Sequence, residues 1–505
     1  MSPLPSRPRL ADHARARRHI VDGDERIILH DARTGARLVL DARTWGLLAC
    51  ADGTRDLDGI LAAAAREGAR ARAPALRAFL EQIHAAGLLE DGPAPLPSTS
   101  TSTSATPTPA RLADAPAALP ATAHPIDLLP DFTLHCDGHG SCCRFYTTVL
   151  FSPPETARAR AALPLLLDAG DQPARAFLPE RGPGPTAGAA VAFIDGRCAY
   201  LDPHDRCAIH AAAGAAAKPL GCQLFPVSIV DDGHHVRVSV LVECACVLAS
   251  AASPSPHGAP LLASLPHPPR TRADLPSALH ITELPARLHI TSHTTAPRAD
   301  LLAWSSALLA ASPPHDIPSA LWTLAATLER TGPDLTAATH AFEAPEPLTP
   351  EPLLPWLGAL FRRAHRRATE DAAFRSPRDL ALRTITWIAA ATRALHHPDL
   401  AALTLAADAP AARADERFYL RAALHGHQLL DDTARIPLAD RLRDAAIRLL
   451  VARAMSLRLA ALAGEPDAEP LDDPASAHPL ALVEAAMRGH GLSAYGEDLA
   501  LDQAG

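Results

Sequence analysis

No stretch of about 18 uninterrupted apolar residues occurs in this 505-residue chain, which argues against a membrane-spanning helix. The N-terminal MSPLPSRPRLADHARARRHI is basic but has no apolar core and no small-residue cleavage site, so no secretory signal is read there. A cytoplasmic protein without a membrane partner is expected. Positive charge is not in excess either: 47 Lys and Arg stand against 56 Asp and Glu, a formal net charge of −9. That balance gives no overall footprint for a polyanion, and nucleic acid is not expected as a partner. Aromatic residues are scarce, at 4%, while alanine, arginine and proline abound. This pattern fits genomic GC bias and carries little functional weight. A nucleotide fingerprint is missing too. The most glycine-rich stretch, Gly182-Pro-Gly-Pro-Thr-Ala-Gly188, does not join a strand to a helix, and its prolines remove amides that a cofactor would need.

Cysteine is almost absent from four-fifths of the chain, where Cys50 stands alone. The other eight are Cys136, Cys142, Cys143, Cys198, Cys207, Cys222, Cys244 and Cys246. In a reducing compartment a long chain with such a local cluster points to metal rather than to disulfides. Burial as simple small hydrophobes does not explain Cys-Cys adjacency or Cys/His turns.

The chain divides into a mainly α, multidomain arrangement. Residues 17–91 open with extended runs at Glu25 to His30 and Arg37 to Leu40 around an Asp-Ala-Arg-Thr-Gly turn. Three helical patterns follow, carrying Trp45, Leu47 and Leu48, then Leu57, Ile60 and Leu61, then Leu76, Phe79, Leu80 and Ile83, ended by Gly87. This order predicts a small winged-helix-like α+β domain. Residues 92–127 contain the Ser/Thr/Pro tract PSTSTSTSATPTP, a flexible linker by composition. Residues 128–250 form an irregular, metal-stabilised Cys-rich domain, and 251–298 a Pro-rich connector. Residues 299–505 form an Ala/Leu-rich helical domain, with Leu442, Ala446, Leu449, Leu450 and Ala454 as one apolar stripe.

Four elements make up the cysteine constellation. Cys136-Asp-Gly-His139-Gly-Ser-Cys142-Cys143-Arg144 is a tight turn in which three thiols and an imidazole can converge. Cys198 and Cys207 flank a Pro/Asp turn and can meet at the mouth of a hairpin, with His210 three residues on. Cys222 lies between Pro219 and Pro226, which pin its geometry, and Cys244-Ala-Cys246 follows the strand-like run Val236 to Val242. The donor set is Cys136, His139, Cys142, Cys143, Cys198, Cys207, Cys222, Cys244 and Cys246. It exceeds what one tetrahedral zinc or one iron–sulfur cluster requires, so two sites, or one site with spare thiols, are both open. Thiolates favour zinc or iron–sulfur over calcium or magnesium, and spacing does not choose between the first two.

The run CDGHGSCCR, then C-x8-C-x-I-H, then KPxxCxxFP and a terminal Cys pair, resembles the YkgJ-type cysteine-cluster family, a zinc- or iron-chelating domain. His139 stands where that family usually has its second cysteine. The longer gap between Cys207 and Cys222, and the stretch Glu416-Arg-Phe-Tyr419-Leu420-Arg421, are similar to the flagellin lysine-N-methylase relatives of that family. That likeness implies an iron–sulfur-type cluster and methyl transfer from S-adenosylmethionine to protein lysine, although no nucleotide motif here supports the cofactor. The N-terminal stretch from His19 to Leu48, with AAGLLEDG after it, looks like the PqqD-type peptide-binding domain. This implies a peptide or protein substrate held along a strand edge.

The enzyme reading places a pocket between the cluster and the helical domain. The competing reading is a non-catalytic metal carrier or metal-stabilised scaffold with a closed site. Other candidates have simpler roles. His396 and His397 suit a helix end, His425 and His427 cannot share one helix face, and His234 and His235 carry no ligand pattern. Cys50 reads as core, and Arg362, Arg363, Arg366 and Arg367 as a solvated helix face.

Overall fold

The computed structural model describes residues 4–11, 14–21, 24–31, 37–66, 71–92, 120–136, 150–162, 177–179, 189–194, 197–202, 204, 206–277, 279–370, 375–396, 410–430, 436–463 and 478–489. The N-terminal unit begins with strands β1 (Pro8–Leu10), β2 (Ala14–Val21), β3 (Asp24–Asp31) and β4 (Arg37–Leu40). β2 and β3 pair antiparallel from Ala14↔Asp31 to Val21↔Asp24, and β4 continues the sheet from Ile27↔Leu40 to His30↔Arg37. Alternation puts Ala14, Ala16, Ile27, Leu29 and Leu40 on one face. Helices α1 (Ala42–Leu48), α2 (Leu57–Arg66) and α3 (Ala73–Ala85) cover it with Trp45, Leu48, Ile60, Leu76, Leu80 and Ile83. α1 starts at Asp41, whose carboxylate accepts the Thr44 amide, and that bond holds the carboxyl below the usual carboxylate range. Past α3 the chain turns at Gly87, where φ is +72°, into β5 (Leu89–Asp91), which pairs with β1.

The hairpin and three helices agree with the expected order, but β2 is an additional strand. Its sequence, ARARRHIV, reads as polar and exposed, yet Arg17 and His19 are each only 2% accessible. His19 is covered by Phe193 of the Cys-rich region, whose ring stacks on it.

That region contributes β6 (Ile126–Leu128), β7 (Leu150–Phe151), α4 (Pro153–Ala162), β8 (Phe177–Pro179), β9 (Ala189–Val191), β10 (Phe193–Ile194) and β11 (Arg197–Cys198). β10 pairs in parallel with β2 and antiparallel with β11. The N-terminal sheet is therefore five-stranded, in the order β11-β10-β2-β3-β4, while β7, β9 and β8 form a separate sheet. Short helices α5 (Ala208–Ala213) and α6 (Leu220–Leu224) lead to the hairpin of β12 (Val227–Asp231) and β13 (Val236–Val240), and α7 (Ala245–Ala252) follows. With β14 (Thr282–Glu283) and β6 at its edges, the hairpin makes a four-stranded sheet. β15 (Arg287–His289) and β16 (Thr295–Pro297) form a last small hairpin.

The remainder is helical: α8 (Arg298–Ala310), α9 (Ile317–Thr331), α10 (Leu335–Glu343), α11 (Leu354–Glu370), α12 (Arg375–His396), α13 (Pro410–His425), α14 (Leu438–Ala463) and α15 (Pro479–Glu484). α15 runs on into a π-helical turn, Ala485–Gly489. The fold is mainly α with several small sheets. None of the helices among the described residues is long and apolar enough to cross a membrane.

One continuous core joins the Cys-rich sheet to the helices. Val236, Val238 and Val240 of β13 and Val247 of α7 belong to the same cluster as Leu442, Leu449 and Leu450 of α14. The Pro-rich connector supplies Leu261, Leu262, Leu265, Leu284 and Leu288 to that core, so it packs as part of the fold. Buried charges cross the helices as well. Arg453 reaches both carboxylate oxygens of Glu416, at 2.6 and 2.8 Å, and Asp316 at 2.8 Å. Arg448 pairs with Asp444 at 3.0 Å and Glu484 at 2.7 Å. Burial pushes the Glu416 carboxyl up despite Arg453 beside it.

Candidate functional site

Each described cysteine of the cluster is placed by a local device. Cys136 is exposed at the end of the segment that follows β6. There the Leu134 backbone bridges to Ala259, and the His135 amide donates to Ser250 Oγ of α7 at 3.0 Å. His139, Cys142 and Cys143 lie outside the described residues, as does the Gly182 to Gly188 stretch.

Cys198 ends β11 and is buried. It shares a small core with Phe151, Phe193, Tyr200 and Ile209, and Cys207 packs against the same cluster. The turn between the two cysteines is closed by Asp202, whose carboxylate accepts the His204 and Arg206 amides at 2.8 Å each. The Arg206 amide is the main reason that this carboxyl lies below its usual range. Leu201 and Cys207 form an isolated antiparallel bridge, and the sequence expectation of two cysteines flanking one turn is met.

Cys222 lies in the first turn of α6, after Pro219 at its N-cap. Glu155 of α4 fixes this start by accepting the Ser152 and Leu220 amides, both at 2.7 Å. Gln223 Nε2 donates to the Lys218 carbonyl at 2.6 Å, and a cis Phe225–Pro226 bond follows. Cys244 is the N-cap of α7, with Cys246 in its first turn; Cys244 is buried in the main core and Cys246 is half-buried against it.

A pattern emerges that spacing along the chain did not reveal. Cys207, Cys222, Cys244 and Cys246 all stand on the opening turns of the short helices α5, α6 and α7. Opening turns present amides that have no partner within the helix, a favourable setting for sulfur that carries negative charge. Two of the nearby carboxylates are engaged, Asp202 and Glu155, which accept backbone amides; the buried Glu243 adjoins Cys244. Sulfur donors fit zinc or an iron–sulfur cluster. Among the described residues no group of three or more His, Cys, Asp or Glu converges on one point. The described part supplies pairs, Cys198 with Cys207 and Cys244 with Cys246.

The described histidines fall in the simpler roles, and His397 lies outside the described residues. His210 is exposed on α5, and His396 Nδ1 contacts the Thr392 carbonyl at 2.7 Å near the end of α12. His425 closes α13, while His427 has φ of +48° and turns toward Asp232. Here lies a polar network that the sequence did not disclose. Asp231 holds His124 Nδ1 at 2.9 Å and pairs with Arg272. Asp232 accepts the His234 and His235 amides at 2.8 and 2.7 Å, Arg237 Nε at 3.1 Å, and lies 3.3 Å from His427 Nε2. Burial pushes the Asp232 carboxyl up, but the bonds from His427, the two amides and Arg237 outweigh it and hold it well below the usual carboxylate range. The run Asp-Asp-Gly-His-His signals the turn, but two of its partners, His124 and His427, lie more than a hundred residues away along the chain.

A cavity of about 420 Å³ opens between α7 and the helices α8, α10 and α13. Ala251, Leu308, Phe342, Phe418 and Leu424 give it an apolar wall, and Arg421 stacks over the Phe418 ring at 5.4 Å. It meets α7 at Ala251 and Ala252, the end of the helix away from Cys244 and Cys246.

No family model matches this chain, and no curated protein and no solved structure is significantly similar to it.

Proposed function

We propose that this chain is a metal-binding cysteine-cluster protein, holding an iron–sulfur cluster or zinc, that acts in modification of a peptide or protein bound by its N-terminal unit. The observation that supports this reading is that Cys207, Cys222, Cys244 and Cys246 each stand on the opening turn of a short helix, with Cys198 and Cys207 on one small core. The donor set is Cys136, Cys142, Cys143, Cys198, Cys207, Cys222, Cys244 and Cys246, with His139 as a further ligand. A cluster is preferred because the likeness to the flagellin lysine-N-methylase relatives implies one, while the number of thiols exceeds what either one zinc or one cluster takes. When bound it supplies electron-transfer chemistry; zinc would supply a cross-link.

The N-terminal sheet supports the peptide part. Its terminal strands are β11 and β4, and β10 covers β2 at His19 and Ile20; among the described residues no strand pairs beyond β4. The Arg37–Leu40 edge is open to an added strand, and a pocket between α1 and the start of α3 is lined by Thr44, Leu47, Ala71 and Arg72. The PqqD-like resemblance of this stretch points the same way.

The cavity between α7 and the helices favours a second, catalytic reading: lysine methylation from S-adenosylmethionine, as the flagellin lysine-N-methylase likeness implies. Protein purified and reconstituted without oxygen tests both. Bound iron with sulfide, or stoichiometric zinc, supports the metal reading. A methyl mass gain on a lysine peptide supports methylation, and metal without turnover leaves a carrier or scaffold.

A further inference from the structure

The cavity between α7 and the helices has a lining of two kinds. Most of it is apolar, with the buried Leu308, Phe342, Leu420 and Leu424 among its walls. Leu309 lines it too and is 39% exposed, so the apolar surface continues to the open side. Against this wall stand two cations, Arg417 and Arg421. They are four residues apart on α13 and share one face of that helix, where like charges repel.

Among the described residues neither arginine makes an ion pair with a carboxylate. Arg421 instead lies over the Phe418 ring, 5.4 Å from its centroid. Phe132 packs on the same ring at 5.1 Å, which fixes the shelf under the guanidinium. A guanidinium stacked on a ring keeps its in-plane N–H groups for a planar, forked acceptor. Asp415 is the acid in the lining; it lies 3.7 Å from His478 Nδ1 and, two residues from Arg417, does not face it along the helix.

A volume of about 420 Å³ is that of a small-molecule site. An apolar wall beside two cations without acid partners complements a molecule divided the same way, with an apolar body and one negative head. A second negative charge would have to be desolvated against the apolar wall and would meet Asp415. A positively charged ligand would meet both arginines.

We propose that this cavity binds a small organic carboxylate with an apolar body, its head on Arg421 and Arg417 and its body against Leu308, Phe342 and Leu424. The site meets α7 at the end away from Cys244 and Cys246, so it goes beyond the metal reading and does not depend on it. The methylation reading puts S-adenosylmethionine in the same cavity. That molecule carries a sulfonium and an ammonium, so charge tells the two occupants apart.

Isothermal titration of the full chain with decanoate, decyltrimethylammonium and S-adenosylmethionine tests this, with both amphiphiles below their micelle-forming concentrations and metal counted in the same samples. Decanoate should bind saturably, and at least roughly 10-fold more tightly than the cation that carries the same chain. Arg421→Gln should weaken decanoate by roughly 10-fold, and Arg421→Lys, which keeps the charge, by clearly less. Ala251→Phe fills the cavity from a half-buried wall position and should abolish binding, with an unchanged circular dichroism spectrum as the sign that the chain is folded. Decanoate bound equally well by metal-free chains supports this site even where the metal reading fails. Equal affinity for the anion and the cation overturns the proposal, as do the absence of saturable decanoate binding and binding that survives Ala251→Phe. S-adenosylmethionine bound where decanoate is not overturns it in favour of the methylation reading.

Discussion

Ser239 of β13 donates a hydrogen bond to the Ala422 carbonyl of α13, 2.7 Å away, and so joins the cysteine-bearing sheet to the helices. Gln428 Nε2 extends the seam to the Val240 carbonyl at 2.9 Å. The approach is close enough that a β-carbon on Gly426 would lie 2.6 Å from Ser239 Cβ.

Gly426→Ala should therefore force the seam apart and cost about 2 kcal/mol, the scale of overpacking in a filled core. Gly221→Ala is the contrast. A β-carbon there meets nothing within 4 Å, although the residue adjoins Cys222. Its stability should stay within about 0.5 kcal/mol of the parent. Urea midpoints for both variants check this.

Arg453 faces two acids inside the helices, Glu416 at 2.6 Å and Asp316 at 2.8 Å. Arg453→Met strands the buried Glu416 carboxylate and should cost about 3–5 kcal/mol. Arg453→Met with Glu416→Leu removes the stranded charge and should recover most of that loss. Thermal unfolding of the single and double variants decides it.

Asp232 and His425 set two pH windows. The Asp232 carboxyl is depressed in the fold, so its contribution is present above its unfolded value of about 3.9 and is lost as pH falls through the folded value. Asp232→Asn should be destabilising at pH 7, by about 2–4 kcal/mol, and the gap to the parent should narrow below about pH 4. His425 is lowered by burial, so the fold is favoured above its unfolded value of about 6.5 and loses stability as pH falls below it. His425→Gln should flatten that part of the profile. Denaturation at stepped pH measures both.

Cys50 is fully buried, its Sγ 3.3 Å from the Gly46 carbonyl, and belongs to the N-terminal core. Cys50→Ala should cost about 1 kcal/mol through the small cavity it leaves and should leave the bound metal unchanged. Paired unfolding and metal assays on this variant check both halves.

Much of the fold was legible because apolar spacing repeats locally. The β3–β4 hairpin, the three following helices and the stripe Leu442, Ala446, Leu449, Leu450 and Ala454 all follow from patterns within a few turns of chain. β2 escaped because its His19 is buried against Phe193, 174 positions on, which no local pattern records. The connector looked loose because its prolines mask leucines that serve the main core. At the candidate site, the cysteines and the Cys198–Cys207 turn could be read from spacing. The shared placement on helix openings could not, because α5, α6 and α7 are too short to show a periodic signal.

Metal per chain, counted together with inorganic sulfide on anaerobically prepared parent, Cys198→Ser, Cys207→Ser, Cys244→Ser and Cys50→Ser proteins, tests the central claim most directly. The account predicts stoichiometric iron with sulfide, or zinc, in the parent and in Cys50→Ser, and a marked loss in each of the other three. A metal-free parent whose thiols all react freely, or equal metal in all five proteins, would contradict it.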